Sequence, residues 1–213
     1  MGAPERQRER AQLADGAAQL GLSLGEGQLD SLQKLLDEVE STNARFNLTA
    51  IRDRPGMAVK HVLDSLTLQR FLHGKRIADV GTGPGFPGLP LAIANPARKF
   101  VLIESVAKKA RFVQMTVDAL ACENVEVVHA RAEGYHPVGL FDTVVARALA
   151  SLADFVAYAG HLCAPGGVLL AMKGRRPDAE VPALPRRWRV RAITRVKVPG
   201  IEDERHIVEI VKS

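Results

Sequence analysis

The feature that most constrains this 213-residue chain is a short apolar run, Arg76 to Val80, that ends in Gly81-Thr82-Gly83-Pro84-Gly85-Phe86-Pro87-Gly88. A strand that stops in a glycine-rich turn and restarts as a helix is the local shape of a cofactor loop. Glycine admits positive φ and lets a ligand lie against bare backbone. The rhythm continues downstream: helix Gly88 to Ala94, strand Lys99 to Glu104, helix Val106 to Leu120, strand Val125 to His129, strand Phe141 to Ala146, helix Leu152 to Leu162 and strand Gly167 to Met172. Such alternation with short connections predicts a parallel sheet covered on both faces.

The two ends of the chain depart from that rhythm. Trp188 to Val198 alternates and is rich in β-branched residues, and a polar turn joins it to His206 to Val211, which predicts an antiparallel hairpin. A mostly parallel sheet closed by a terminal hairpin fits the class I methyltransferase plan better than a dinucleotide-binding plan. The expected fold is therefore α/β and Rossmann-like, with seven strands and a helical N-terminal extension. Leucines at 29, 32, 35 and 36 with Val39 predict a helix over Gln28 to about Ala44, and a second is expected over Met57 to Phe71. The expected division is a flexible N-terminus over 1–25, a helical extension over 26–73 and the methyltransferase domain over 74–213.

Two cofactor classes use such a turn. A diphosphate needs free backbone N–H groups at the helix start, and Pro84 and Pro87 remove two of them. S-adenosylmethionine carries no phosphate, and its amino group needs an acceptor. Asp79, two residues before the first glycine, can supply one; the alternative is that it caps the turn. Glu104, 25 residues after Asp79 at the tip of the second strand, can accept ribose hydroxyls of either cofactor. Gly81, Gly83 and Gly85 shape the loop. After the third strand, Ala132 and Glu133 stand where an adenine amino group is usually recognised.

Composition narrows the class further. With 46% apolar and 25% charged residues, the chain can bury a sizeable core. Cys122 and Cys163 have no clustered partners, so two reduced thiols are expected and no metal site. No apolar run reaches membrane-spanning length and the first residues do not read as a secretory signal, so a cytoplasmic protein is expected. The net charge of +5 is concentrated: Lys173 to Lys197 holds nine basic residues and two acidic ones. That excess suggests a polyanion or a solvated arginine-rich face. Trp188, among these arginines, is read as core or as a base-stacking side chain.

At this point the chain resembles the RsmG (GidB) family of bacterial 16S ribosomal RNA guanine-N7 methyltransferases. The resemblance runs from about Leu24 to Lys212. It rests on Phe46-Asn47-Leu48-Thr49-Ala50, Lys60-His61-Val62-Leu63-Asp64-Ser65, Asp79 to Pro90, Ala146-Arg147-Ala148, Ala171-Met172-Lys173-Gly174 and Glu204-Arg205-His206. It implies S-adenosylmethionine contacts at Gly81, Phe86, Ala132, Glu133 and Arg147. It also implies 16S rRNA or the small ribosomal subunit as partner, with no membrane and no stable protein partner, and a monomer. Phe86 stands where an aliphatic residue is common, Ala132 where valine occurs and Glu104 where aspartate occurs.

The reaction expected from the resemblance is methylation of guanine N7, which has a lone pair and no proton and so needs alignment rather than a general base. After the fourth strand the chain has no Asn/Asp-Pro-Pro-aromatic motif of amino methylation, and it has no Pro-Cys nucleophile. Arg147, at a strand's carboxyl end, is expected to orient the cofactor or read guanine O6. Asn47, His61, Asp64 and Ser65 either line the substrate side of the pocket or tie the extension to the core. Lys173 is expected to meet an RNA phosphate, and Arg205 and His206 are left between functional and structural roles. Competing readings are a methyltransferase with a different RNA, small-molecule or protein substrate, an NAD-binding oxidoreductase, and a non-catalytic RNA-binding scaffold.

Overall fold

The computed structural model describes residues 2–148 and 150–213. Seven strands form one sheet: β1 (Arg76–Val80), β2 (Lys99–Glu104), β3 (Val125–His129), β4 (Phe141–Arg147), β5 (Cys163–Lys173), β6 (Trp188–Val196) and β7 (Arg205–Lys212). Their order is β3-β2-β1-β4-β5-β7-β6. The first five run parallel, and β7 lies antiparallel between β5 and β6. The chain winds outward from β1 through β3 and then returns to the other side of β1 with β4. The crevice beyond the β1 and β4 tips is thus the topological switch point, where open α/β sheets bind ligands.

Alternate strand residues enter two cores. On one face Ile77, Leu102, Val145 and Leu170 pack with α5 (Gly88–Ala94), α6 (Ala107–Leu120) and the N-terminal helices. On the other, Ala78, Ile103, Val144 and Leu169 pack with α7 (Leu152–Ala159) and Trp188. β1, α5, β2 and β3 have the bounds expected from sequence, while β5 begins four residues earlier.

The N-terminal region departs from expectation. Residues 3–19 form a packed helix, α1 (Ala3–Gln19), rather than a flexible lead. Its anchors are few and mostly small: Leu13 and Ala17 are fully buried, and Gly16 sits so close to Leu63 that a Cβ would lie 2.5 Å from its Cδ1. Arg54 holds α1 from outside, with its guanidinium bonded to buried Glu9 and the Gln33 carbonyl and paired with Asp37 and Glu40. α2 (Glu26–Phe46) buries its leucine stripe and ends at Asn47, whose left-handed φ of 50° is an asparagine-tolerated helix stop. Each such leucine contributes roughly 1.5–3 kcal/mol by leaving water.

The second expected helix is broken into pieces. α3 (Arg54–Met57) passes into a π-helical stretch, Ala58–Leu63, then α4 (Asp64–Leu66) and a 3-10 turn, Gln69–Phe71. The hydroxyls of Ser65 and Thr67 donate back to the carbonyls of His61 and Asp64. Helices, extension and sheet share one apolar cluster, from Leu13 to Val211. Cys122 is half-buried, Cys163 is buried, and both are free.

Candidate active site

The turn after β1 has used all of its amides. Gly81 and Thr82 both donate to the Ile103 carbonyl, and Gly85 and Phe86 both donate to that of Thr82. Gly83 donates to Glu104 Oε2 and Gly88 to Asp79 Oδ2, each at 2.8 Å. Pro84 and Pro87 have no N–H to give. A diphosphate would find no donor on this turn.

What the turn offers instead is acceptors. Asp79 is fully buried; its Oδ2 also accepts from the Thr82 hydroxyl at 2.7 Å, while Oδ1 has no partner among the described residues. Burial raises its pKa to about 6, against the pull of the Thr82 and Gly88 hydrogen bonds. Both readings of Asp79 therefore hold at different atoms: one oxygen caps the turn and the other is left over. Glu104 bonds the N–H groups of Gly83 and Val106, one with each oxygen, which leaves each oxygen a further lone pair. A leftover buried carboxylate oxygen suits an ammonium group, and the Glu104 lone pairs suit hydroxyls. This acceptor-rich pattern, with no amide left for a phosphate, fits S-adenosylmethionine.

The turn's glycines divide in the same way. A Cβ on Gly81 or Gly83, both at positive φ, would meet nothing within 4 Å. A Cβ on Gly85 would strike Leu89 and one on Gly88 would strike Leu102 and Asp79. Gly81 and Gly83 thus present bare backbone to open space, whereas Gly85 and Gly88 close the turn onto its own helix and strand. A cavity of about 350 Å³ adjoins the turn, lined by Gly81, Ala132, Glu133 and Arg147 among the expected residues. Asp79, Gly83, Gly85, Phe86 and Glu104 lie in the turn and strand tips beside it. The sequence reading missed Ser105, Arg131 and Tyr158, which also line it. Ser105 follows Glu104 directly and could have been read from that position; Tyr158, on α7, carries no local signal. Ala148, also in the wall, holds φ at 57°, a strained conformation for a residue with a Cβ.

The helical extension packs against the turn through a cluster of which only Arg147 lines this cavity. The His61 ring stacks on Phe86 with centroids 4.6 Å apart, and its Nε2 meets the Thr49 hydroxyl at 2.9 Å. Burial, helped by the Arg147 charge, lowers its pKa to about 3, so the ring is neutral. Phe86 is buried, and its ring belongs to this stack rather than to the cavity. Arg147 donates to the Lys60 carbonyl at 3.2 Å and lies 3.8 Å from Asp64, whose other oxygen receives Arg205 at 3.2 Å. Burial raises the Asp64 pKa although Arg205 and Arg147 oppose it, and burial lowers that of Arg147. His61 and Asp64 thus tie the extension to β4, β7 and the glycine turn. Asn47 is exposed, ends α2 and accepts from Arg52.

The remaining expected residues are spread along the far half of the sheet. Lys173 is held by Glu180 at 2.8 and 2.9 Å, so the side chain expected to meet a phosphate already has a carboxylate partner. His206 is buried and its ring faces the Gly174 carbonyl at 2.9 Å. Trp188 is core, beneath Lys212. The basic stretch splits in two. Lys173, His206 and Arg195 stand side by side across the sheet at its cleft end. Arg189 and Trp188 lie about 20 Å away, at roughly 3.3 Å per residue along β6.

The comparisons agree with this geometry. Among solved structures, the glycopeptide N-methyltransferase MtfA complexed with S-adenosyl-L-homocysteine superposes with a TM-score of 0.62 at 13% identity, covering 72% of this chain and 87% of that one. TrmN from Thermus thermophilus gives 0.55 at 20% identity, over 80% and 53%. These likenesses establish the class I methyltransferase fold. The ribosomal RNA small subunit methyltransferase G of Nitrosococcus oceani is 48% identical over 198 residues, 93% of this chain and 92% of the relative. That of Methylococcus capsulatus is 46% identical over 198 residues, 93% and 96%. The family model described as GidB, rRNA small subunit methyltransferase G, matches residues 28–208, and the chain belongs to that family.

Proposed function

We propose that this chain methylates N7 of a specific guanine in 16S ribosomal RNA, using S-adenosylmethionine and no general base. The observation that carries this reading is the glycine turn: its amides are exhausted and two buried acids stand beside it, in a chain whose relatives are named as small subunit rRNA methyltransferases. S-adenosylmethionine, when bound, supplies a methyl group on a cationic sulfur. Asp79 would accept from its amino group, directly or through water, and Glu104 from its ribose. Gly81 and Gly83 would give it bare backbone, and Ala132 and Glu133 would meet its adenine.

Guanine N7 presents a lone pair, so the protein's task is to hold the base in line and exclude water. The residues of the substrate side suit that task. His61 is neutral and locked by Thr49 and Phe86. Arg147, fixed by Lys60 and Asp64, orients the cofactor or donates to guanine O6. The partner is 16S rRNA or a small-subunit particle, which the chain meets as a monomer in the cytoplasm. No helix among the described residues is long and apolar enough to cross a membrane. Of the cations at the cleft end of the sheet, Arg175 and Arg195 are the ones offered to the surrounding phosphates, while Arg176 is held by Asp178 at 2.8 and 3.0 Å.

The test is transfer of labelled methyl from S-adenosylmethionine to small subunits from a strain lacking the enzyme, followed by nucleoside mapping. The expected product is 7-methylguanosine at one position. Label on another atom or another base would overturn the N7 assignment. An Arg147→Ala protein is expected to lose most of the transfer rate while remaining folded; full activity would remove Arg147 from the mechanism.

A further inference from the structure

A second concavity lies next to the cleft, where the end of α2 meets the first turns of α6. It encloses about 550 Å³. Phe46 and Met115 line it with 46% and 65% of their surfaces exposed, unusual for side chains of this size. Val106, 47% exposed, adjoins it as the N-cap of α6. Arg45, Lys108 and Arg111 supply the rest of its character, and none of its lining residues is acidic. Lys108 Nζ sits 4.4 Å from the Phe46 ring centroid and donates to the Phe46 carbonyl, and the Arg45 guanidinium lies 5.7 Å from the same centroid.

An exposed aromatic ring ringed by cations is the combination by which proteins hold single-stranded nucleic acid: the ring stacks on a base and the cations track its phosphates. The position fits a strand entering the cleft. Lys108, in the first turn of α6, is three residues beyond Ser105, which lines the cavity. On the other side Phe46 leads in three residues to Thr49, the partner of His61. We propose that this groove binds an unpaired nucleotide flanking the target base, with Phe46 as its stacking platform and Lys108, Arg111 and Arg45 on the adjoining phosphates. The proposal rests on the reading of the chain as an RNA methyltransferase and adds a subsite outside the cofactor cleft. It also gives the strand a hold beyond the cleft itself, as RNA recognition through splayed-out bases requires.

The experiment compares wild type, Phe46→Ala, Phe46→Trp and the double variant Lys108→Ala/Arg111→Ala. Methyl transfer to small-subunit RNA gives KM, and titration with S-adenosylmethionine gives its Kd. Phe46→Ala is expected to raise the RNA KM roughly 5- to 150-fold, the range for one lost stacked base, with the S-adenosylmethionine Kd unchanged. Phe46→Trp is expected to restore it. The double variant is expected to flatten the salt dependence of RNA binding by about 1.4 in slope, at roughly 0.7 per single-strand phosphate contact. A wild-type KM in Phe46→Ala overturns the subsite while leaving the methyltransferase reading intact, and so does a loss that Phe46→Trp fails to restore. A dimer of the wild type that Phe46→Ala disperses in sedimentation assigns the groove to a second copy instead. A wild type that transfers nothing to RNA overturns both readings.

Discussion

The glycine turn and the cluster through which the extension docks beside it are built by opposite means. The wall formed by the glycine turn is contiguous in sequence, almost devoid of charge except for two acids, and offers a ligand oxygen acceptors. The docking cluster is a gathered wall: it draws His61, Asp64, Arg147 and Arg205 from three distant parts of the chain, presents only Arg147 to the cavity, and holds its cations on one shared carboxylate. A contiguous wall is set by backbone geometry and tolerates change in the rest of the molecule. A gathered wall exists only once the extension has docked, so its chemistry and the stability of that docking stand or fall together.

Substitutions separate the two walls most sharply at their acids. Asp64→Ala strips two arginines of their shared carboxylate and leaves each only a backbone carbonyl, with Arg147 half-buried beside the π-helical stretch. It is expected to cost about 3 kcal/mol in a urea unfolding series, along with methyl transfer. A loss confined to activity would mean that the docking does not depend on this carboxylate. Asp79→Asn keeps the hydrogen-bonding shape of the turn and removes its charge. It is expected to leave stability nearly unchanged and to weaken S-adenosylmethionine roughly 10- to 100-fold in calorimetry, the range for one bond to a charged group.

Acidity gives the next largest contrast. Asp79 is protonated below about pH 6, and a cationic ligand favours its ionised form. S-adenosylmethionine affinity is therefore fully present above pH 6 and falls as pH drops through that value, by up to about tenfold per unit. Asp79→Asn is expected to abolish that slope, and a wild-type affinity constant from pH 5 to 8 would show that Asp79 is only a cap. The smallest effect belongs to the basic edge strand. Arg195→Ala, at the cleft end of β6, is expected to lower the salt slope of RNA binding by about 1. Arg189→Ala, at the remote end, is expected to leave it unchanged. Equal losses from both would mean that the RNA wraps the whole edge.

The same contrast explains what could be read from the sequence. β1, the turn, α5 and β2 form one uninterrupted stretch in which strand length, glycine placement and the missing proline amides are local properties, so both the elements and the cofactor class were legible. The mostly parallel sheet and its antiparallel end followed from the alternation and the terminal hairpin, whereas the strand order, with β7 between β5 and β6, is a tertiary fact. The gathered wall was only half legible. His61 and Asp64 stood out as a pair on one helix turn, yet their partners Thr49, Arg147 and Arg205 are tertiary facts, and no residue pattern marks the π-helical stretch that positions them. α1 escaped because Leu13, Gly16 and Ala17 form too narrow an apolar stripe, and its strongest tie, Glu9 to Arg54, joins residues 45 positions apart. Lys173 looked free because Glu180, its partner, lies in an irregular segment beyond the strand.

The saturated amides of the turn have a consequence for selectivity in a crowded cell. ATP, NAD and other abundant adenosine compounds share the adenine and ribose of S-adenosylmethionine. To seat a phosphate here, any of them would have to pull an N–H away from its carbonyl or carboxylate, forfeiting about 1 kcal/mol for each bond broken, and would then set its negative charge against Asp79 and Glu104. The turn thus works against phosphate-bearing adenosine compounds with no dedicated gate, because its backbone has nothing left to lend them.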